Sequence, residues 1–105
     1  MRTLNHIGVV TTTPAAGECY NEGMKVWLTD FSTSPNKIES LRFEAGSWLP
    51  ELIQTKAHIA YQVDSIAKEL EGAKILIEPF DAGDGLTIAF IEEEGVAIEL
   101  MEYAS

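Results

Sequence analysis

Two histidines and two glutamates stand at matching places in this chain, and theirs are the side chains best suited to chemistry. His6 and His58 each open a His-Ile motif, in His6-Ile7-Gly8-Val9-Val10-Thr11 and His58-Ile59-Ala60-Tyr61-Gln62-Val63. Glu39 lies in Ile38-Glu39-Ser40-Leu41-Arg42-Phe43, and Glu99 in Ile98-Glu99-Leu100-Met101-Glu102-Tyr103. An imidazole and a carboxylate can each bind a divalent ion or move a proton near neutral pH. A lone strand histidine is more often a satisfied polar group, and a strand glutamate usually faces water. Two such pairs at equivalent positions weigh against that bland reading.

The elements that must position these groups read as a repeat. Both His-Ile stretches alternate into β-branched or aromatic residues, the period-two pattern of half-buried strands. Between each histidine and its glutamate lies a glycine-led run, Gly23-Met24-Lys25-Val26-Trp27-Leu28 and Gly85-Leu86-Thr87-Ile88-Ala89-Phe90. Three segments in one order make two copies of one module. Module one spans 1–45, a linker 46–56 contains Gly46 and Pro50, and module two spans 57–105, all within a single domain. Trp48 and Leu49 are expected to pack the linker onto the core.

The two copies differ in length. His6 and Glu39 are 33 positions apart and His58 and Glu99 are 41 apart. The spacing assigns the excess to a strand over Lys74–Pro79 that the first copy lacks. In the first copy, Glu18–Glu22 reads as a short helix. In the second, a helix over Ser65–Glu71 is capped by Asp64 or Ser65 and ended by Gly72, with Ile66 and Leu70 sharing a face. Leu86–Ile91 and Val96–Tyr103 form a hairpin across the acidic loop Glu92-Glu93-Glu94-Gly95. The sum is seven strands in two pseudo-symmetric sheets.

Alternation also sets the faces. His58 shares a face with Ala60 and Gln62, while Ile59, Tyr61 and Val63 look toward the helix. Glu99 lies between Ala97 and Met101, with Ile98 and Leu100 opposite. Glu44 shares a segment with Glu39 and is its competitor for the first-copy role.

Composition bounds the class. The chain has 105 residues, enough for one small core, and 46% of them are hydrophobic. Its net charge of −10 argues against a nucleic-acid partner, which would need a basic surface. No apolar run reaches the roughly 20 residues of a membrane span. The single cysteine, Cys19, and the absence of a secretory pattern lead us to expect a cytoplasmic protein. Cys19 has no evident base partner, so it is not expected to be a nucleophile. No dinucleotide or P-loop glycine motif is present, and no cofactor-binding residues beyond the metal set are expected.

His-Ile-x-x-x-Val before a helix, then Ile-Glu-Pro-Phe, Gly-x-x-x-Ala-Phe and a closing Val-x-Ile-Glu-Leu, resembles the vicinal oxygen chelate superfamily. That group includes glyoxalase I, methylmalonyl-CoA epimerase, bleomycin-resistance proteins and extradiol dioxygenases. The resemblance implies an α+β fold of two βαβββ modules forming an open cup of mixed sheets, with the first module shortened. It also implies that His6, Glu39, His58 and Glu99 bind a divalent metal, Zn, Ni, Co or Mn, in roughly octahedral geometry completed by waters. The activity implied is that of a lyase, isomerase or epimerase acting on a small carbonyl substrate through an enediolate held by the metal. Glu99 first and Glu39 second would serve as catalytic base. The alternative is a non-catalytic small-molecule binder of the bleomycin-resistance type; an extradiol dioxygenase is disfavoured by the fourth ligand. An unpaired sheet edge left by the missing strand would favour a homodimer.

Overall fold

The computed structural model describes residues 1–104. Eight strands form one mixed sheet: β1 (Thr3–Val10), β2 (Cys19–Asn21), β3 (Val26–Leu28), β4 (Ile38–Phe43), β5 (His58–Gln62), β6 (Lys74–Gly83), β7 (Leu86–Glu93) and β8 (Val96–Tyr103). Two short helices, α1 (Glu51–Thr55) and α2 (Ile66–Glu69), complete it with a 3-10 turn at Phe31–Thr33. The strand order is β2-β3-β4-β1-β5-β8-β7-β6. Each half repeats one scheme, in which the first and last strands of the module run parallel, β1 with β4 and β5 with β8. The halves join where β1 and β5 pair antiparallel at the centre.

Two expectations are corrected here. The strands make one continuous sheet of eight, because β1–β5 pairing closes the seam between the modules. The first module also has its edge strand: Cys19–Asn21 pairs with β3 in place of the expected helix over Glu18–Glu22. What the first module lacks is the crossover helix. Residues 11–18 cross the outer face instead, where the Glu18 carboxylate meets the Arg42 guanidinium. The ground for expecting a dimer, a missing edge strand, therefore falls away.

The sheet is curled. Val26 and Leu28 of β3 line the same cavity as Phe80 and Ala82 of β6. Six strand spacings would hold these elements about 29 Å apart in a flat sheet. The outer face of the second half is covered by α2, whose Ile66 packs with Val63, Ala89, Ile91, Ile98 and Leu100. Ser65 caps that helix by accepting from the Lys68 N–H (3.3 Å), and Gly72 follows at φ +71°. The inner face carries a second cluster, in which Leu49 and Ile53 press onto Phe90 and Ala97. The linker thus contributes Leu49 and the helix α1 to the wall of the cup, while Trp48, expected to pack inward, is 55% exposed. Two-residue turns, Asp84-Gly85 and Glu94-Gly95, close the β6–β7 and β7–β8 hairpins with positive φ at both positions. No helix among the described residues is long and apolar enough to cross a membrane.

Candidate metal centre

All four side chains singled out in the sequence point into the cup. His6 on β1 and His58 on β5 are buried, Glu99 on β8 is buried, and Glu39 on β4 is partly so. The register explains the convergence. Gly8 is paired with both Glu39 and His58, and Ala60 with both His6 and Glu99, so the four groups alternate across the two central strand pairs. Glu44, the competitor for Glu39, has the opposite parity. It accepts from the Trp27 indole N–H at 3.1 Å on the outer face. Trp27 itself stacks beside Tyr20 and Arg42 there and does not wall the cup.

The imidazole–carboxylate distances are those of donor atoms around one centre. Glu99 Oε1 lies 3.1 Å from His58 Nε2 and 3.4 Å from His6 Nε2. Glu39 Oε1 lies 3.5 Å from His6 Nε2 and 4.0 Å from His58 Nε2. Ligand bonds of about 2.1 Å put neighbouring donor atoms about 3.0 Å apart at right angles and about 3.4 Å apart at tetrahedral angles. Close as they are, none of these contacts meets hydrogen-bond geometry. His6 Nε2 and both nitrogens of His58 are buried with no hydrogen-bond partner. Buried polar atoms are nearly always paired, so the two Nε2 atoms, which face two carboxylates, fit a divalent ion held between them; such an ion leaves His58 Nδ1, which lies against Gly8, unpaired. His6, Glu39 and His58 each offer a ligand atom within 4.8 Å of the others, and Glu99 approaches both imidazoles more closely than Glu39 does.

Electrostatics separates the two carboxylates. Burial alone would raise the Glu99 carboxyl, but the His58 and His6 imidazoles beside it hold it down to about 2. Glu39 stands above the usual carboxylate range because burial dominates, with the imidazoles offsetting it in part. Burial pushes His6 down, and Glu99 with Glu39 outweighs that, so its pKa sits above the ordinary 6.5.

Three contributing residues were not identified from the sequence. Asn5 Oδ1 lies 2.7 Å from His6 Nδ1, so a proton on Nδ1 is donated to Asn5 and the Nε2 lone pair is left facing the cup. Strict alternation would send Asn5 to the other face, but the β1–β5 register shifts between Leu4 and His6 and turns it back beside the ring. Phe31, in the 3-10 turn, stacks on His6 with ring centroids 4.4 Å apart. Gly8 leaves the space that the His58 ring fills: a Cβ there would lie 2.1 Å from His58 Cε1. The glycine in the His-Ile-Gly motif was the one available signal.

Similar folds are known. A hypothetical protein from Bacillus halodurans C-125 superposes with a TM-score of 0.72 at 23% identity, over 99% of this chain and 96% of that one. Methylmalonyl-CoA epimerase from Mycobacterium tuberculosis superposes with a TM-score of 0.62 at 17% identity, over 97% and 88%. No protein-family model matches the sequence, and no curated protein matches it. At these identities the likeness is one of fold.

Proposed function

We propose that this chain is a divalent-metal-dependent enzyme of the isomerase or epimerase type, which removes a proton beside the carbonyl of a small molecule. The observation that carries the reading is the convergence of two imidazoles and two carboxylates, with orphaned nitrogens, inside an otherwise apolar cup. The fold it shares with an epimerase supports it.

His6, His58 and Glu99 would hold the ion, with Glu39 as the fourth and loosest ligand. When bound, such an ion supplies Lewis-acid polarisation of the carbonyl oxygen. Glu99 lies closest to both imidazoles and has a low proton affinity, which suits a fixed ligand. Glu39 is farther from them, more exposed and more basic, which suits a base able to swing onto substrate. This reverses the order expected from the sequence. Glu39 takes the proton from the carbon next to the carbonyl, and the C–H electron pair moves toward the carbonyl oxygen. The protonated Glu39 then returns its proton to the former carbonyl carbon while the hydroxyl proton passes to the former carbonyl oxygen, giving an isomer; or a proton from water reaches the opposite face of the original carbon while Glu39 releases its own to solvent, giving an epimer.

Hydrogen exchange tests this directly. In deuterated water, the zinc- or nickel-loaded protein should wash deuterium into the carbon beside the carbonyl of an α-hydroxyketone, followed by NMR. Glu39→Gln should take up metal and lose the exchange. Exchange that is undiminished in Glu39→Gln, or a wild-type protein that binds an α-hydroxyketone without metal and without exchange, would contradict the proposal; the second result is that of a binding protein.

A further inference from the structure

The cup is small, and its chemistry is one-sided. Its volume is about 280 Å³, at the lower end of what ligand pockets span. At ~30 Å³ for each water-sized group, it holds about nine such groups. Among the described residues seventeen line it, and the polar side chains among these are His6, Glu39, His58 and Glu99; none of the seventeen is lysine or arginine. Both arginines of the chain are engaged on the outer face. Arg2 pairs with Glu69 and Glu93 at 2.9 and 2.8 Å and lies over the Tyr61 ring, and Arg42 pairs with Glu18 over the Trp27 ring. Two carboxylates also balance a divalent ion, so the filled site has no surplus positive charge for an anion. The whole chain carries a net charge of −10, which repels anions at long range.

From this we infer that the cup takes a compact, uncharged, largely hydrocarbon carbonyl compound of about nine non-hydrogen atoms, and not a substrate carried on an anionic conjugate such as a coenzyme A thioester. A carboxylate, phosphate or sulfonate inside the cup would lose its water and meet apolar walls and either two like charges or an ion whose charge those carboxylates already balance, a cost that no cation in the lining offsets. A hydrocarbon group gains by burial against the same surface. The selectivity therefore comes from the apolar walls together with a polar set that carries no surplus positive charge. The inference rests on reading those four groups as the place where the carbonyl is held, but the preference itself belongs to the lining.

Calorimetric titration of zinc-loaded and of metal-free protein tests it, with 2-hydroxyacetophenone as the neutral probe, its ring-carboxylated analogue as the charged one, and propionyl-coenzyme A as the conjugate. The neutral probe should bind at least tenfold more tightly than either of the others to both forms. Ala82 is exposed at the cup and lines it, so Ala82→Lys adds a cation there without disturbing the core. That variant should narrow the ratio between the neutral and carboxylated probes at least fivefold. Equal or tighter binding of a charged probe, no binding of the neutral one at millimolar concentration, or a ratio unmoved by Ala82→Lys overturns the inference. Zinc uptake measured without any probe reports separately on the metal reading. A protein that takes zinc yet prefers the charged probe fails only here; one that takes no zinc fails there, and its probe preference still decides this point.

Discussion

The His58 ring lies directly over Gly8, its partner in the antiparallel β1–β5 ladder, in the space a side chain at residue 8 would occupy. His6 is paired in the same ladder with Ala60, which carries a methyl group where residue 8 has none. The pseudo-symmetry of the two His-Ile motifs is thus broken at their third residue.

Gly8→Ala should therefore drive the His58 ring out of the cup. We expect a stability loss of about 1–3 kcal/mol from overpacking and a disappearance of the melting shift on adding zinc. Ala60→Gly, the mirror change, should cost about 0.5–1 kcal/mol from backbone entropy and keep the zinc response. Calorimetric melts of both variants, with and without metal, check this. A zinc response retained in Gly8→Ala would show that the glycine is not needed for the site.

Asn5→Ala removes the acceptor that fixes the His6 tautomer. Metal affinity should fall about 10- to 100-fold, the usual effect of losing such a support, while Asn5→Asp, which keeps an oxygen in place, should retain most of it. Competition titration with a chelator measures both. Equal affinities in Asn5→Ala and wild type would remove Asn5 from the account.

Metal binding should strengthen as pH rises through and above 6.5. The His6 pKa is raised above that value by Glu99 and Glu39 once burial is outweighed, and an ion binds only neutral imidazole, so binding must displace a proton. The sign for the metal-free fold is the reverse. A raised histidine pKa stabilises the fold fully below 6.5, and that contribution is lost as pH rises through the folded value. The gain in melting temperature on adding zinc should therefore be larger at pH 8 than at pH 6, and the pH dependence should flatten in His6→Asn. A gain that shrinks with rising pH would contradict it.

Ile53 is almost fully buried, and it is the buried residue of helix α1 in the cluster with Phe90 and Ala97, which Leu52 of the same helix flanks. Ile53→Ala should cost about 2–5 kcal/mol, read by urea denaturation, because α1 has no side-chain cap and only five residues to hold it otherwise. A cost below about 1 kcal/mol would mean that α1 is not anchored by this contact.

What the sequence made legible follows from alternation. The faces of β5 and β8, and hence the inward aim of His58 and Glu99, came from strict period-two reading; Ser65 and Gly72 marked the ends of α2. The parts it did not reveal depend on distant partners. Cys19–Asn21 is a strand only because β3 pairs with it, and its own residues, flanked by Glu18 and Glu22, suit a helix as well. α1 lacks a polar cap and a periodic face. The single sheet depends on β1 meeting β5, residues more than fifty positions apart, and the register shift that brings Asn5 beside His6 leaves no mark in composition or spacing.

The central claim, that His6, Glu39, His58 and Glu99 jointly hold one divalent ion, is tested most directly by thermal melting with zinc or nickel in the wild type and in His6→Ala and Glu99→Ala. With metal about 100-fold above its Kd, linkage gives about 2.7 kcal/mol, a rise of roughly 10–20 °C for a domain of this size. The wild type should show that rise, and both variants should lose nearly all of it. An equal rise in all three proteins, or none in the wild type, would contradict it.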